Sequence, residues 1–351
     1  MNLGRPLRTA VAAVAVAVLA LTACGSDGDN SSAGPKGEDT AGGQSLPAAE
    51  LALVAYSTPQ EAYEKVIAAF QKTAQGKNIT FSQSYGASGD QSRAVESGLP
   101  ADVVAFSLEP DVTRLVKAGI VAADWNSDAY KGMVTDSVVV IGTRKGNPKN
   151  IKGWSELTRP GVEVITPNPF TSGGARWNVM AAYGATSDVG KDDGAGVAYL
   201  GNLFANVPVQ DDSARKSLQT FTGGKGDAII AYENEAVFAR SKGARLDYVV
   251  PDQTILIENP VAVTANSRHP EAAKAFVAFL HSATAQRIFA DAGYRPVVEG
   301  VAKPGEFKAP AKLFTIADLG GWSAVNTKFF GPQGSVMADV ERKLGVSTAK
   351  S

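Results

Sequence analysis

Residues 166–178 have the composition of a binding site for a small anion. Their sequence, Thr-Pro-Asn-Pro-Phe-Thr-Ser-Gly-Gly-Ala-Arg-Trp-Asn, follows a β-branched run at 162–165 and leads into a helix-compatible stretch at 175–182. The pattern predicts Ser172 as a helix N-cap, with Gly173 and Gly174 in the first turn. A helix start leaves unpaired N–H groups and a partial positive charge, and glycines let an oxyanion approach them. An ordinary capped helix has the same pattern, so this segment alone leaves both interpretations open.

Two further junctions have the same chemistry. Residues 85–89 read Tyr-Gly-Ala-Ser-Gly and place Ser88 at a predicted helix start, and residues 211–215 read Asp-Asp-Ser-Ala-Arg and place Ala214 at another. In open α/β sheets, ligands bind beyond the carboxyl ends of the strands, where helix N-termini collect. The three helix starts are therefore expected to converge on a pocket of N–H and O–H donors.

The elements that must position these helix starts alternate along the chain. Thr58 and Ser88 each open a capping-box pattern before a helix. The predicted elements are, in order, a strand at 51–56, a helix at 60–75, a strand at 79–84, a helix from 88 to about 98, a strand at 102–106, a helix at 110–118, a strand at 137–143, a helix at 198–205, a strand at 207–209, a helix at 213–222, a strand at 227–231 and a helix at 233–241. This alternation predicts α/β architecture with mostly parallel sheets, and roughly 300 residues fit two lobes better than one.

The N-terminus has the pattern of a lipoprotein signal. Arg5 and Arg8 precede an apolar run at 9–21, which closes on Leu-Thr-Ala-Cys at 21–24. The pattern predicts a signal peptide at 1–23, a lipidated Cys24 and a flexible Gly/Ser/Asp/Pro-rich tether at 24–47. An ordinary signal peptide that happens to carry a cysteine is the alternative. The chain is expected at the cell membrane, lipid-anchored on the extracytoplasmic face, since no later segment is apolar for long enough to span a bilayer.

Composition argues against several classes of protein. Without residues 1–23 the chain has 32 basic and 35 acidic residues, a formal charge of −3, which disfavours nucleic acid as a partner. Its single cysteine disfavours a Cys-based metal site. His269 and His281 are its only histidines, and neither is near a serine motif. No Gly-x-Ser-x-Gly elbow and no Walker loop is present, so we expect neither an enzyme nor a cofactor. A secreted hydrolase and a structural or adhesive lipoprotein remain distant alternatives.

Three stretches together resemble the prokaryotic sulfate-binding proteins of ABC importers. They are Asn-Pro-Phe-Thr-Ser-Gly-Gly-Ala-Arg-Trp-Asn at 168–178, Arg-Lys-Gly-Asn-Pro-Lys at 144–149 and Glu-Asn-Glu-Ala at 233–236. The similarity runs from about residue 51 to 322. It implies a two-lobed periplasmic-binding-protein-like fold of type II, with a ligand cleft between the lobes that closes on dehydrated sulfate or, in relatives, thiosulfate. In that family backbone N–H groups, a serine hydroxyl and an indole N–H hold the anion, and no cationic side chain touches it.

The resemblance implies a set of ligand-binding residues in this chain. Tyr232 stands where the family usually has Trp, Thr58 where it usually has Asp, and Ser213 where it has Gly before Ala214. These changes keep hydrogen-bonding capacity. Tyr232→Phe removes one donor and is expected to weaken sulfate binding, and Tyr232→Trp is expected to restore it if the phenol has taken over the indole's role. The implied set is Ser88, Ser172, Gly173, Gly174, Ala214, Tyr232 and Thr58.

We expect a monomeric lipoprotein that captures sulfate and delivers it to the permease subunits of an ABC importer. The expected first lobe is 48–140 plus 258–351 and the second is 141–257, with crossings near 138–143 and 255–263. Thiosulfate, phosphate and molybdate are the alternative ligands. Phosphate stays an alternative because Asp211 and Asp212 lie close by in the sequence. A protonated phosphate needs an acceptor, which a carboxylate could supply, whereas sulfate only accepts hydrogen bonds. Arg176 and Arg215 are expected to support the site without contacting the anion.

Overall fold

The computed structural model describes residues 44–346 and residue 348. The predicted signal peptide at 1–23, the predicted lipidation residue Cys24 and most of the predicted tether at 24–47 lie outside the described residues. None of the helices in the described part is both long and apolar enough to cross a bilayer.

The first region of the chain alternates strands and helices. Strand β1 lies between β2 and β3 and is parallel to both. Helix α1 places Tyr63, Val66 and Phe70 at helical spacing against this sheet, so they form one core with it. The elements are β1 (Ala49–Tyr56), α1 (Gln60–Phe70), β2 (Ile79–Gly86), α2 (Ser88–Glu96), β3 (Val103–Ala105) and α3 (Glu109–Lys117).

The middle of the chain forms a second region with its own helices. Its elements are β4 (Met133–Arg144), a 3₁₀ turn (Trp154–Thr158), β5 (Val164–Ile165), α4 (Gly173–Thr186), α5 (Asp193–Ala205), α6 (Ala214–Thr222), β6 (Ala228–Tyr232), α7 (Glu233–Ser241), β7 (Leu246–Val249) and β8 (Gln253–Val263). Helix α4 is buried on most of its surface, with Trp177 and Met180 wholly enclosed. Strand β5 is parallel to β6, so both end at the same edge of the sheet.

Strands β4 and β8 join the two regions as an antiparallel pair. The first half of β4 pairs with β8, and from Val139 onward β4 pairs with β6. At its far end β8 pairs with β3, where Val263 faces Val103. The strand order β2-β1-β3-β8-β4-β6-β5 therefore runs through both regions. The prediction of mostly parallel sheets is wrong for these strands, because each crosses between the regions once and in opposite directions.

The C-terminal part of the chain packs on both regions. Its elements are α8 (Pro270–Leu280), α9 (Ala283–Asp291), β9 (Arg295–Pro296), β10 (Lys312–Phe314), a 3₁₀ turn (Ala317–Leu319), α10 (Gly321–Phe329) and α11 (Val336–Lys343). Phe276 and Phe289 of α8 and α9 join the core of the first region. Trp322 and Met337 of α10 and α11 join the core around α4 instead. The expected first lobe therefore contains a stretch, at 314–338, that belongs by packing to the second region.

Several predicted local features differ in the structure. Thr58 does not cap α1, which begins at Gln60 without a side-chain cap, because the Thr58 hydroxyl lies 3.0 Å from that of Tyr294. Ser88 does not cap α2 but is its first residue, after Ala87. Helix α1 ends at Phe70, before the predicted residue 75, and residues 207–209 form no strand.

Candidate functional site

Helices α2, α4 and α6 begin at one small cavity between the two regions. The cavity has a volume of about 10 Å³, close to the space that one water molecule needs, so it suits a solute of only a few atoms. All seven of the predicted ligand residues line it. Gly86, Ala87 and Ser213, which belong to the predicted junctions, line it too, and Tyr56, Ser57 and Ser107 are the lining residues that sequence reasoning missed. The lining residues are Tyr56, Ser57, Thr58, Gly86, Ala87, Ser88, Ser107, Ser172, Gly173, Gly174, Ser213, Ala214 and Tyr232.

The start of α4 has the predicted geometry. Ser172 is the N-cap, with extended backbone, and its hydroxyl oxygen accepts a hydrogen bond from the Ala175 N–H at 3.3 Å. A Cβ on Gly173 would lie 2.5 Å from the Ser107 hydroxyl oxygen, and one on Gly174 would lie 3.1 Å from the Ala214 Cβ. Glycine is therefore needed at 173, where the first region closes against the helix start. The N–H groups of both glycines precede the first intrahelical hydrogen bonds and are free to face the cavity.

At the start of α2 the Ser88 hydroxyl is already used within the protein. It donates to the Asp111 carboxylate at 2.6 Å and accepts from the Ser107 N–H at 3.0 Å. Burial raises the pKa of Asp111, and the nearby Arg176 guanidinium opposes that rise. Because both its proton and a lone pair are engaged, Ser88 can offer a ligand its backbone N–H more readily than its hydroxyl.

Helix α6 begins in the same way, with Ser213 as N-cap. The Ser213 hydroxyl accepts from the Lys216 N–H at 3.4 Å, and Ala214 is the first helical residue. Arg215 turns to the rim of the cleft, where its guanidinium donates to Glu235 at 2.8 and 3.0 Å and to the Thr58 carbonyl at 2.6 Å. This last bond connects the second region to the first.

Tyr232 reaches the cavity from the end of β6. It is 1% exposed, and burial raises the pKa of its phenol well above the usual value, so the hydroxyl keeps its proton. Its oxygen lies 2.9 Å from the Ser107 hydroxyl oxygen. Ser107 lies two residues after the end of β3 and directly follows the predicted strand at 102–106. The rule that ligands bind beyond strand ends could therefore have identified it.

Charged side chains stand back from the cavity. Among its described lining residues there is no Asp, Glu, Lys or Arg. Arg176 donates to the Pro169 carbonyl and to the Asn326 side chain, each at 2.9 Å. Asp211 accepts from the hydroxyls of Ser217 and Thr220, and Asp212 pairs with Lys216. Neither aspartate lines the cavity, so no carboxylate is supplied there to accept a hydrogen bond from phosphate.

The remaining titratable residues do not assemble into a metal site or a nucleophile. Within residues 44–346 no cluster of three or more His, Cys, Asp and Glu side chains could hold a metal ion. His281 lies away from the cavity, where its ring stacks on Tyr130 at 4.3 Å and contacts the Met133 carbonyl at 2.9 Å. The cavity thus offers backbone N–H groups at helix starts and neutral hydroxyls, which together suit an anion that only accepts hydrogen bonds.

Comparison with known proteins places the chain in a family. A model of the bacterial extracellular solute-binding proteins matches residues 51–295. A sulfate-binding protein of Synechococcus elongatus is 41% identical over 93% of this chain and 94% of its own length. A thiosulfate-binding protein of Pseudomonas aeruginosa is 33% identical over 82% of this chain and 91% of its own.

A solved structure agrees with these relatives. The sulfate-binding protein SubI from Mycobacterium tuberculosis H37Rv is 48% identical, with a TM-score of 0.78 over 79% of this chain and 98% of that one. The chain belongs to the bacterial extracellular solute-binding proteins. Its α/β fold is the two-lobed fold of periplasmic binding proteins, as predicted. We refer to the two regions described above as the lobes.

Proposed function

We propose that this chain binds sulfate in the cavity between its lobes and delivers it to an ABC importer. The observation that carries the proposal is the cavity itself, where the N-termini of α2, α4 and α6 meet without a charged side chain in the lining. Each helix start supplies roughly half a positive charge, and the buried N–H groups replace the water that a dianion loses. Its relatives are solute-binding proteins and not enzymes.

The proposed contacts divide between backbone and side chains. The N–H groups of Ser88, Gly173, Gly174 and Ala214 donate to the anion, together with the hydroxyls of Ser172 and Tyr232. Thr58 stays at the edge of the site, because its hydroxyl is engaged by Tyr294 and its carbonyl by Arg215. Ser57 also lines the cavity. We propose its backbone N–H, and not the Thr58 side chain, as the hydrogen-bond donor at this edge.

Thiosulfate is the second candidate, because relatives named for it cover most of the chain. It has the same charge as sulfate and likewise only accepts hydrogen bonds, but one sulfur replaces an oxygen. Hydrogen bonds to that larger, softer atom are longer and weaker. Donors that suit oxygen therefore favour sulfate.

Delivery places the protein outside the cytoplasm, in keeping with its family. We propose that a lipid on Cys24 holds it at the membrane as a monomer and that the permease subunits of the importer are its partners. Lipid attachment would keep the lobes near the permease while the tether leaves their orientation free.

Tryptophan fluorescence provides a direct test of binding. Trp177 of α4 donates its indole N–H to the Ser107 carbonyl of the other lobe at 2.8 Å, so lobe closure changes its surroundings. Titration of the purified chain with sodium sulfate should give a saturable fluorescence change with a dissociation constant in the micromolar range or below. Titration with sodium chloride at equal ionic strength should give none. A flat sulfate titration of folded protein would remove sulfate as the ligand.

A further inference from the structure

Ser107 is held from both lobes, and only its hydroxyl is left to adjust. It is 1% exposed and lies two residues after the end of β3. Its N–H donates to Ser88 in its own lobe. Its carbonyl accepts from the Trp177 indole of the second lobe at 2.8 Å and from Asn259 of β8 at 3.3 Å. With the backbone fixed in this way, the Ser107 hydroxyl stays 2.9 Å from the Tyr232 phenol oxygen, a contact that joins the two lobes.

The direction of this hydrogen bond decides what Tyr232 shows to the cavity. Each hydroxyl has one proton, and in a contact of 2.9 Å one of the two donates. If Tyr232 donates to Ser107, the phenol presents lone pairs to the cavity, and the Ser107 hydroxyl, which also lines the cavity, has the only proton of the pair that can face an anion. If Ser107 donates to Tyr232, the phenol proton is released toward the cavity. A phenol that accepts one hydrogen bond is also a better donor in the next.

From these contacts we infer that Ser107 is a positioning residue for the anion, which directs the Tyr232 proton into the cavity through a Ser107→Tyr232→anion chain of hydrogen bonds. The inference rests on the proposed function, and it adds a specificity residue to that site. Only a ligand that accepts a hydrogen bond stabilises this order of donors. The Ser107–Tyr232 pair therefore favours a fully ionised oxyanion over a ligand that must donate a proton.

The Ser107 hydroxyl is one of two side-chain hydrogen-bond partners of the Tyr232 phenol, and the other is the Asn259 amide. Both side chains are buried, so bulk water does not reach the contact between them. A Cβ on Gly173 would come within 2.5 Å of the Ser107 oxygen, which shows that no spare volume exists on that side. The expectation that Tyr232→Trp restores binding therefore changes. An indole N–H donates but cannot accept, so Trp at 232 would leave the Ser107 proton unpaired.

A double-mutant cycle tests the inference. Sulfate affinity is measured by calorimetric titration for the wild type, Ser107→Ala, Tyr232→Phe and the double variant. We expect each single variant to bind about tenfold more weakly than the wild type and the double variant to bind no more weakly than Tyr232→Phe. Ser187→Ala is the matched control, because it removes a buried serine hydroxyl that accepts from the Gly190 N–H, outside the cavity.

Three outcomes overturn the inference, and they are distinguishable. Wild-type protein that binds neither sulfate nor thiosulfate overturns the proposed function and this inference together. If the wild type binds sulfate and the double variant binds about a hundredfold more weakly, the two single losses of affinity have multiplied. That result shows that Ser107 and Tyr232 act independently. Unchanged affinity in Ser107→Ala shows that the hydroxyl directs nothing.

A rescue experiment gives a readout that a merely structural serine would not change. We expect Tyr232→Trp alone to bind sulfate about tenfold more weakly than the wild type and Tyr232→Trp with Ser107→Ala to regain most of that loss. Thermal unfolding checks that each variant is folded. If the bulkier Trp prevents folding, the cycle with Tyr232→Phe decides, since Phe only removes an oxygen. Wild-type affinity in Tyr232→Trp alone would contradict the inference.

Discussion

Gly173→Ala tests whether tight contact between the lobes is needed for binding. The added methyl would lie 2.5 Å from the Ser107 hydroxyl oxygen and 2.9 Å from the Leu108 Cγ, both in the opposite lobe. Such distances are too short for real contacts, and overpacking of this kind costs about 1–3 kcal/mol. Because opening of the cleft relieves the clash, most of this free energy should be lost from anion binding and little from folding.

The expected loss follows from that free energy. At 1.4 kcal/mol per decade, about 1–3 kcal/mol corresponds to a 5- to 150-fold weaker affinity for sulfate. Calorimetric titration measures the affinity, and thermal unfolding without ligand checks that the lobes remain folded. Small-angle scattering with saturating sulfate should show a more open Gly173→Ala protein than the wild type.

Gly201→Ala is a matched control for this substitution. Gly201 lies inside α5, and its added methyl would meet nothing within 4 Å. Alanine there should raise the free energy of unfolding by about 0.5–1 kcal/mol through helix propensity and leave sulfate affinity unchanged. If folded Gly173→Ala binds sulfate as tightly as the wild type, the reasoning about lobe contact is refuted.

Three further predictions address the lipid anchor, the N-cap of α4 and the crossing strand β4. Cys24→Ser should move the protein from the membrane to the soluble fraction with sulfate binding intact, and persistence on membranes after a carbonate wash would contradict lipid anchoring. Ser172→Ala should lower the free energy of unfolding by about 0.5–2 kcal/mol and, in addition, weaken sulfate binding by about 1.5–3 kcal/mol. If Ser172 were only an N-cap, the sulfate affinity measured by calorimetry would be unchanged. In the crossing strand β4, burial and the facing Glu258 raise the pKa of Asp136 to about 7, against the opposing effect of Arg295. The folded protein then keeps a proton that the unfolded chain has lost, so stability should fall as pH rises from about 4 to about 7. Asp136→Asn should remove this fall and raise the free energy of unfolding at pH 8 by about 2 kcal/mol. The gain is smaller than 1.36 kcal/mol per pKa unit because the carboxyl is partly exposed. Equal denaturation profiles for the two proteins from pH 4 to 8 would contradict this prediction.

The helix starts at the site were predictable because capping is a local property. The serine, glycines and preceding strand that define the start of α4 lie within a few residues of one another, and the structure confirms Ser172 as N-cap. The same local logic failed at Thr58, because the competing Tyr294 hydroxyl comes from 236 residues away. The role of each lining residue as a ligand stays a prediction until binding is measured.

Other features depend on packing that no local pattern encodes. The Ser88 hydroxyl donates to Asp111 on the next helix, and Ser107 meets Tyr232, which is 125 residues away in the other lobe. The apolar residues of α10 identify a buried helix face but not its partner. The sequence therefore gave no sign that Trp322 packs edge-on against Trp177, at 4.7 Å between ring centroids, in the second lobe.

The central claim is that the site holds only donors, and competition between sulfate and phosphate tests it most directly. A protonated phosphate oxygen in this cavity would face another donor, and such an unmet hydrogen bond costs about 1–3 kcal/mol or more. Calorimetric competition at pH 6 should show sulfate binding at least about tenfold more tightly than phosphate. The gap should narrow at pH 8, where phosphate carries mostly one proton instead of two, but it should not close, because the remaining proton still meets a donor. Equal affinity at pH 6, or a gap that does not change with pH, would contradict a donor-only site.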